Sequence, residues 1–195
     1  MAFFRKLVHV AYEFIESFVI SASFFVVIYL FLMQPHQVKG SSMFPTFKDK
    51  EYLLTDKITY KRRLPVYGDV IVFKAPMNES FDFIKRVIAI PGQTVSVKGG
   101  RVYVDGKMLP EDYLPKEYTT SPGQFLLEGE SYTVQDGEVM AFGDNRDHSS
   151  DSRDWGPVPN KNIVGRVFFR YFPINTMGVV KNTVTGVETS SENPD

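Results

Sequence analysis

The chain has 195 residues, with 22 Lys and Arg against 23 Asp and Glu and a net charge of −1. That length allows one domain plus an anchor, and the absence of a long basic block, with only short clusters such as the one that includes Arg62-Arg63, argues against a nucleic-acid partner. With no cysteine, thiolate catalysis, cysteine-ligated zinc and disulfides are all excluded.

The first element is an apolar helix. Arg5 and Lys6 precede Phe14–Met33, which is apolar apart from Glu16 and small serines. The charge-free stretch Ser17–Gln34, at ~1.5 Å rise per residue, is just long enough to span a bilayer. A cleaved signal peptide would need a small-x-small site after it, and Met33-Gln34-Pro35-His36 offers none. A buried core helix would need a second helix of matching length to cover it. The segments expected are therefore a cytoplasmic N-terminus over 1–13, a single transmembrane anchor over 14–34 and an extracytoplasmic domain over 35–175. Arg5 and Lys6 set that orientation, and the later lysines do not overturn it, because long domains translocate largely regardless of charge. The site is thus expected on the outer side of the cytoplasmic membrane, with membrane lipid as a partner.

Beyond the anchor, helical periodicity gives way to short β-like runs between turn signals. Tyr52–Thr55 and Val70–Phe73 come first, followed by the long run Phe81–Ile90, which Pro91-Gly92 ends. Thr94–Val97 and Val102–Val104 flank Gly99-Gly100, a two-residue hairpin signal. Residues 107–125 lack periodicity and read as an irregular stretch within a small insertion over 100–130. Tyr132–Val134, Val139–Phe142 and Ile163–Phe172 complete the strands, and 176–195 reads as a polar tail. The fold class expected is mainly β: one transmembrane helix, then an all-β domain of coiled antiparallel sheets or a partly open barrel.

Three stretches carry candidate chemistry. Gly40-Ser41-Ser42-Met43-Phe44-Pro45-Thr46 places two small hydroxyl residues before an apolar anchor and a proline that fixes the backbone. Ser42 as a nucleophile needs a base. His9 lies on the wrong side of the membrane, His36 on the same short segment, and nothing positions His148. Lys85 is the better candidate: on a strand, alternation puts it in a row with Phe81, Phe83, Val87 and Ala89, while Asp82 and Arg86 share the other row. Burial disfavours its ammonium, and moving the pKa from ~10.4 to ~7 takes about 4–5 kcal/mol, within the reach of desolvation. Taken alone, Lys85 favours the plainer reading of a lysine snorkelling from a sheet edge. The third stretch, Gly143–Asp154, interleaves Asp and Arg in the manner of a loop shaped by internal ion pairs. Asp144, Asp147 and Asp151 do not have calcium-loop spacing, and Arg146 and Arg153 would repel a cation. No metal or cofactor is expected.

These stretches, in this order, resemble the bacterial type I signal peptidases (leader peptidases). Ser42-Met43-Phe44-Pro45-Thr46 looks like the family's nucleophile box, and Tyr67–Phe73 resembles its Gly-Asp strand. Ile84-Lys85-Arg86-Val87 with Pro91-Gly92 looks like its general-base box, and Gly143–Arg153 is similar to its last box almost throughout. The resemblance runs from the anchor to about Phe172. It implies a fold like that of signal peptidases and repressor proteases, and a serine endopeptidase that removes signal peptides from exported preproteins after small-x-small (Ala-x-Ala) sites. Ser42 would attack the scissile carbonyl, Lys85 would act as general base, Ser149 would orient the lysine, and Asp151 with Arg153 would form a supporting ion pair. In some members a serine two places before the nucleophile supplements the oxyanion hole. Here that place is Gly40, so its N–H or another group must assist the Ser42 N–H, or the latter works nearly alone.

Substrate pairing is expected along Gln37-Val38-Lys39-Gly40 and Asp82-Phe83-Ile84-Lys85, with Val38, Met43, Phe83 and Ile84 forming shallow pockets for small side chains. The run from Met33 to Ser42, at no more than ~3.3–3.6 Å per residue, keeps the nucleophile within about 30 Å of the bilayer. A self-cleaving repressor with the same dyad would need a DNA-binding or partner module and an internal cut site, neither of which is visible. The rival from another class is a catalytically idle, membrane-tethered β-domain that binds exported peptides.

Overall fold

A computed structural model describes residues 2–181. The run from Ala2 contains neither proline nor glycine until Pro35, so nothing interrupts helix α1 over Ala2–Val27, which widens into a π-helical turn over Ile28–Leu32. The segment expected as a separate N-terminus is therefore helical from Ala2, and Arg5 and Lys6 ride on the first turns. Phe4–Val27 is long and apolar enough to cross a membrane, and Phe14, Phe18, Phe24 and Phe25 are exposed, uncovered by the other described residues.

The expected end of the anchor moves as well. Strand β1, Met33–Gln37, starts one residue after the helix, because proline disfavours helical backbone at the residue before it and Pro35, lacking an N–H, suits an edge strand. β1 pairs with β2, Tyr52–Asp56, in the register Met33↔Asp56 to Gln37↔Tyr52. The Lys57 N–H donates to the Leu32 carbonyl at 3.0 Å, which ties the helix end to the same strand.

The remaining strands are β3 Val70–Ala75, β4 Asn78–Ala89, β5 Thr94–Lys98, β6 Arg101–Val104, β7 Lys107–Met108, β8 Ser131–Thr133, β9 Glu138–Phe142, β10 Val158–Pro159, β11 Ile163–Phe172 and β12 Gly178–Val179. All their ladders are antiparallel. The larger sheet runs β1-β2-β11-β3-β4-β9-β10, with β12 added to β11, and the smaller runs β7-β6-β5-β8. Gly99 and Gly100 both take positive φ, +56° and +72°, as the tight turn between β5 and β6 demands. The expected polar tail begins too early at 176, since β12 returns to the sheet opposite Phe169 and Arg170; the rest of that tail, from 182, lies outside the described residues.

Both faces of β3 are covered, so Val70-Ile71-Val72-Phe73 reads as an unbroken apolar run in which every side chain is buried. One face packs Val70 and Val72 with Leu53, Val167, Val38, Met43 and Phe47. The other packs Ile71 and Phe73 with Val87, Val139, Ala141 and Val158. A third cluster joins Val95, Val97, Val102 and Val104 of the smaller sheet to Ile88, Met140 and Phe142 of the larger. Each such side chain contributes about 1.5–3 kcal/mol on burial, which makes β3, β4 and β9 a rigid platform. The lysine is held on that platform.

Candidate active site

Ser42 and Lys85 come from segments 43 residues apart and meet with Ser42 Oγ 2.8 Å from Lys85 Nζ. Strand β4 fixes the lysine. Lys85 stands opposite Ile71 in the register with β3, it is 4% exposed, and its Nζ lies 5.5 Å from the centre of the Phe83 ring. Burial is the main influence on the amine and drives its pKa down to about 8, against an upward pull from Asp151 and Asp144, while Arg153 pushes it down further. A tenth or so of the amine is therefore neutral near pH 7.

The serine is held by its neighbours. Met43 is fully buried among Leu53, Phe47 and Val72, and the Phe47 N–H donates to the Met43 carbonyl at 2.8 Å. The Asn145 N–H donates to the Ser42 carbonyl at 2.9 Å, and its side-chain amide donates to the Ser41 carbonyl at 3.1 Å. Thr46 Oγ1 donates to Asp144, so the box beginning at Ser42 is tied at both ends to the loop after β9. The sequence reading gave Asn145 and Thr46 no role; their positions within the two boxes were the available signal.

That loop carries the charges. Arg86 donates to both oxygens of Asp144, from Nε at 2.9 Å and from Nη2 at 2.7 Å, and to the Gly68 carbonyl at 3.1 Å. Arg153 makes the same fork on Asp151, from Nε and Nη2 at 2.9 Å each. Burial on its own would raise the Asp151 carboxyl, but Arg153 and the Gly143 N–H hold it below its ordinary value. Arg86, on the other row of β4, is 2% exposed. Its row faces the Asp144 carboxylate and the ring of Tyr113, 4.1 Å from the guanidinium carbon to the ring centre.

Gly143 is the residue around which the site closes. A Cβ placed on it would sit 2.5 Å from the Ser42 carbonyl oxygen and closer still to the Ser149 hydroxyl. Ser149 is thus brought beside the Ser42 backbone, with its Oγ buried and near enough to the Asp151 carboxylate to help lower its pKa. No hydrogen bond joins Ser149 to Lys85 here; the Lys85 amine meets Ser42 Oγ.

Two other expectations need correction. The Gly40 N–H donates to Asp49 Oδ1 at 2.8 Å, so it is not free as the second oxyanion donor. Met43 and Val38 are core side chains with 0% and 4% exposure, so neither lines an open pocket. Phe83 and Ile84 are half-buried and lie on opposite faces of β4, one packed on the cluster of Phe73 and the other on that of Met43.

The proposed substrate edges are better served by the backbone. Val38 uses both its N–H and its carbonyl on Glu51 and Lys50, which turns the groups of Gln37 and Lys39 toward the free edge of β1. On β4, the pairing with β9 begins at Arg86, so Asp82–Lys85 has a partner strand only on the β3 side among the described residues. The two free edges face each other: His36 Nε2 of β1 lies 3.4 Å from Asp82 of β4. Lys74 holds the same carboxylate at 2.7 Å. Among the described residues, no group of three or more acidic or histidine side chains is arranged to hold a metal ion.

The family model described as signal peptidase, peptidase S26, matches residues 11–172. The chain is 41% identical over 155 residues to the probable signal peptidase I-1 of Synechocystis sp., covering 76% of each chain. It is 34% identical over 177 residues to signal peptidase IB of Staphylococcus aureus, covering 84% of this chain and 92% of the relative. The crystal structure of a signal peptidase I from Enterococcus faecalis V583 is 28% identical with a TM-score of 0.43, covering 53% of this chain and 97% of that one.

Proposed function

Because this chain belongs to the signal peptidase family, peptidase S26, we propose that it is a membrane-anchored serine endopeptidase in which Ser42 and Lys85 form the catalytic dyad. The observation that carries this reading is the 2.8 Å contact between a half-exposed serine hydroxyl and a buried amine. The neutral amine takes the hydroxyl proton as Ser42 Oγ attacks the scissile carbonyl. The resulting ammonium then protonates the departing amino group, leaving the signal peptide as an ester on Ser42. In the second half, Lys85 takes a proton from water, whose oxygen attacks the ester and regenerates the free serine. The Ser42 N–H is the proposed oxyanion donor, with Gly40 committed to Asp49.

The preprotein lies as an extended strand between the outward groups of Gln37 and Lys39 and the free side of Asp82–Lys85. Backbone pairing there is blind to sequence. Selection therefore falls to the space near Phe83 and Ile84, and small residues at the first and third positions before the cut suit it. Ser149 supplies the hydrogen bond that orients the lysine once Ser42 is acylated, and Asp151 with Arg153 holds that serine's loop. The α1 helix fits a membrane anchor, and the orientation proposed for it has Arg5 and Lys6 on the cytoplasmic side and the β-domain outside.

The test is incubation of the full-length protein in detergent micelles with an Ala-x-Ala preprotein, followed by N-terminal sequencing of the product. A single new N-terminus directly after the second alanine is expected, with no cleavage by Ser42→Ala or Lys85→Ala. An intact preprotein held in a stable complex with the unmodified protein would point to the idle binding domain instead. Full activity in either variant would refute the dyad.

A further inference from the structure

The sequence offers no role for the irregular stretch after β7, but the structure fastens it to the loop that shapes the site. Arg146 is buried and donates to Glu111, which it meets in an ion pair, to Thr120 Oγ1 at 2.6 Å and to the Tyr113 hydroxyl at 3.0 Å. Its remaining Nε donates to the Gly143 carbonyl at 3.0 Å. Tyr113 in turn donates to Glu111 at 2.6 Å and lies against Arg86. A planar guanidinium with its terminal nitrogens gripped has its Nε direction fixed as well. Gly143 is the residue with no spare room between the Ser42 carbonyl and the Ser149 hydroxyl.

We propose that Glu111 is a positioning residue for the cleavage reaction: through Arg146 it sets the Gly143 backbone against Ser42 and Ser149. The inference rests on the dyad reading above. Glu111 touches neither the nucleophile nor the base. It acts by removing slack from the peptide unit that walls them, and a shift of about 1 Å at such a unit can cost on the order of 100-fold in rate. Loosening the wall also admits water beside Lys85, which relieves the desolvation that keeps the amine neutral.

The test measures kcat, KM and the pH profile of kcat/KM for the full-length protein in detergent with an Ala-x-Ala preprotein. Glu111→Ala is expected to lower kcat by about 10- to 100-fold with KM within about twofold, and to move the acid limb to higher pH. Glu111→Gln, which still accepts hydrogen bonds from Arg146, is expected to recover most of the rate. Glu117→Ala, at an exposed position of the same stretch, is expected to behave as the unmodified protein. Wild-type kcat in Glu111→Ala overturns the proposal, and so does a loss that follows the folded fraction with the acid limb unmoved. Should Glu111→Ala not fold, Arg146→Lys keeps the charge for Glu111 but lacks the fork that reaches Gly143. It should show the same loss, and wild-type kcat there is equally fatal. Lys85→Ala in parallel separates the two readings, since activity in that variant sinks the dyad whatever Glu111 does.

Discussion

Replacing Lys85 with Met should abolish cleavage and make the protein more stable. A lysine with a pKa of about 8 in the fold and ~10.4 when unfolded binds its proton less readily in the native state. Stability therefore rises with pH between those two values, and below about pH 8 the native state carries the full cost of an ammonium buried in that position. At ~1.36 kcal/mol per unit, the cost near pH 7 is about 3 kcal/mol. Methionine fills a similar volume without a charge, and the lost contact with Ser42 Oγ returns at most ~1 kcal/mol, because the half-exposed hydroxyl can turn to water. Thermal unfolding of the full chain in detergent at pH 7 should show Lys85→Met melting about 4–8 °C higher, and the gap should close as the pH approaches 11. A variant no more stable than the unmodified protein at pH 7, or a gap independent of pH, would mean that the amine is not held in a desolvating site. The same desolvation should give kcat/KM an acid limb at about pH 8 in the unmodified enzyme, with activity lost as the pH falls.

Two further substitutions probe the walls of the site. Gly143→Ala places a methyl group against the Ser42 carbonyl and the Ser149 hydroxyl, and should cost about 1–3 kcal/mol of stability and most of the cleavage rate. Near-normal turnover with a normal melting temperature would show that the loop yields at no cost. Asp144→Ala strands Arg86, which is 2% exposed, and should lower stability by about 3–5 kcal/mol. Unfolding measurements that find it neutral would mean that water or Thr46 can take over the guanidinium.

Local signals in the sequence located most strands, because apolar runs bounded by glycine and proline report burial on a platform whose two faces are both covered. They also picked out Ser42 and Lys85, which the fold places 2.8 Å apart. Interactions between distant segments were the illegible part. Alternation along β4 put Arg86 on a second row but could not show that Asp144 and Tyr113 meet that row and bury it. Gly40 was one of the open choices for a second oxyanion donor, and its partner Asp49 is supplied by the turn that folds back on it. Met43 looked like a pocket wall beside the nucleophile, whereas its neighbours in the core come from β2, β3 and β11. The anchor was expected over 14–34, and the helix that carries it begins earlier, at Ala2, because nothing in the sequence before Phe14 breaks the backbone. Within 107–125, Lys107 and Met108 add a short strand to β6, while Glu111, Tyr113 and Thr120 are held by polar contacts with Arg146, and such contacts leave no periodic trace.

The junction between α1 and β1 has a mechanical consequence. No linker separates the last helical residue, Leu32, from the first strand residue, Met33, and Lys57 clamps the step from the side. With α1 seated in a bilayer, as proposed, the nucleophile has a set height above the lipid and little freedom to tilt or slide. The protein then works as a calliper. A preprotein whose apolar segment is too long or too short presents its cut point above or below the jaw, however well its side chains suit the groove. Part of the discrimination among substrates would accordingly lie in a distance rather than in any pocket.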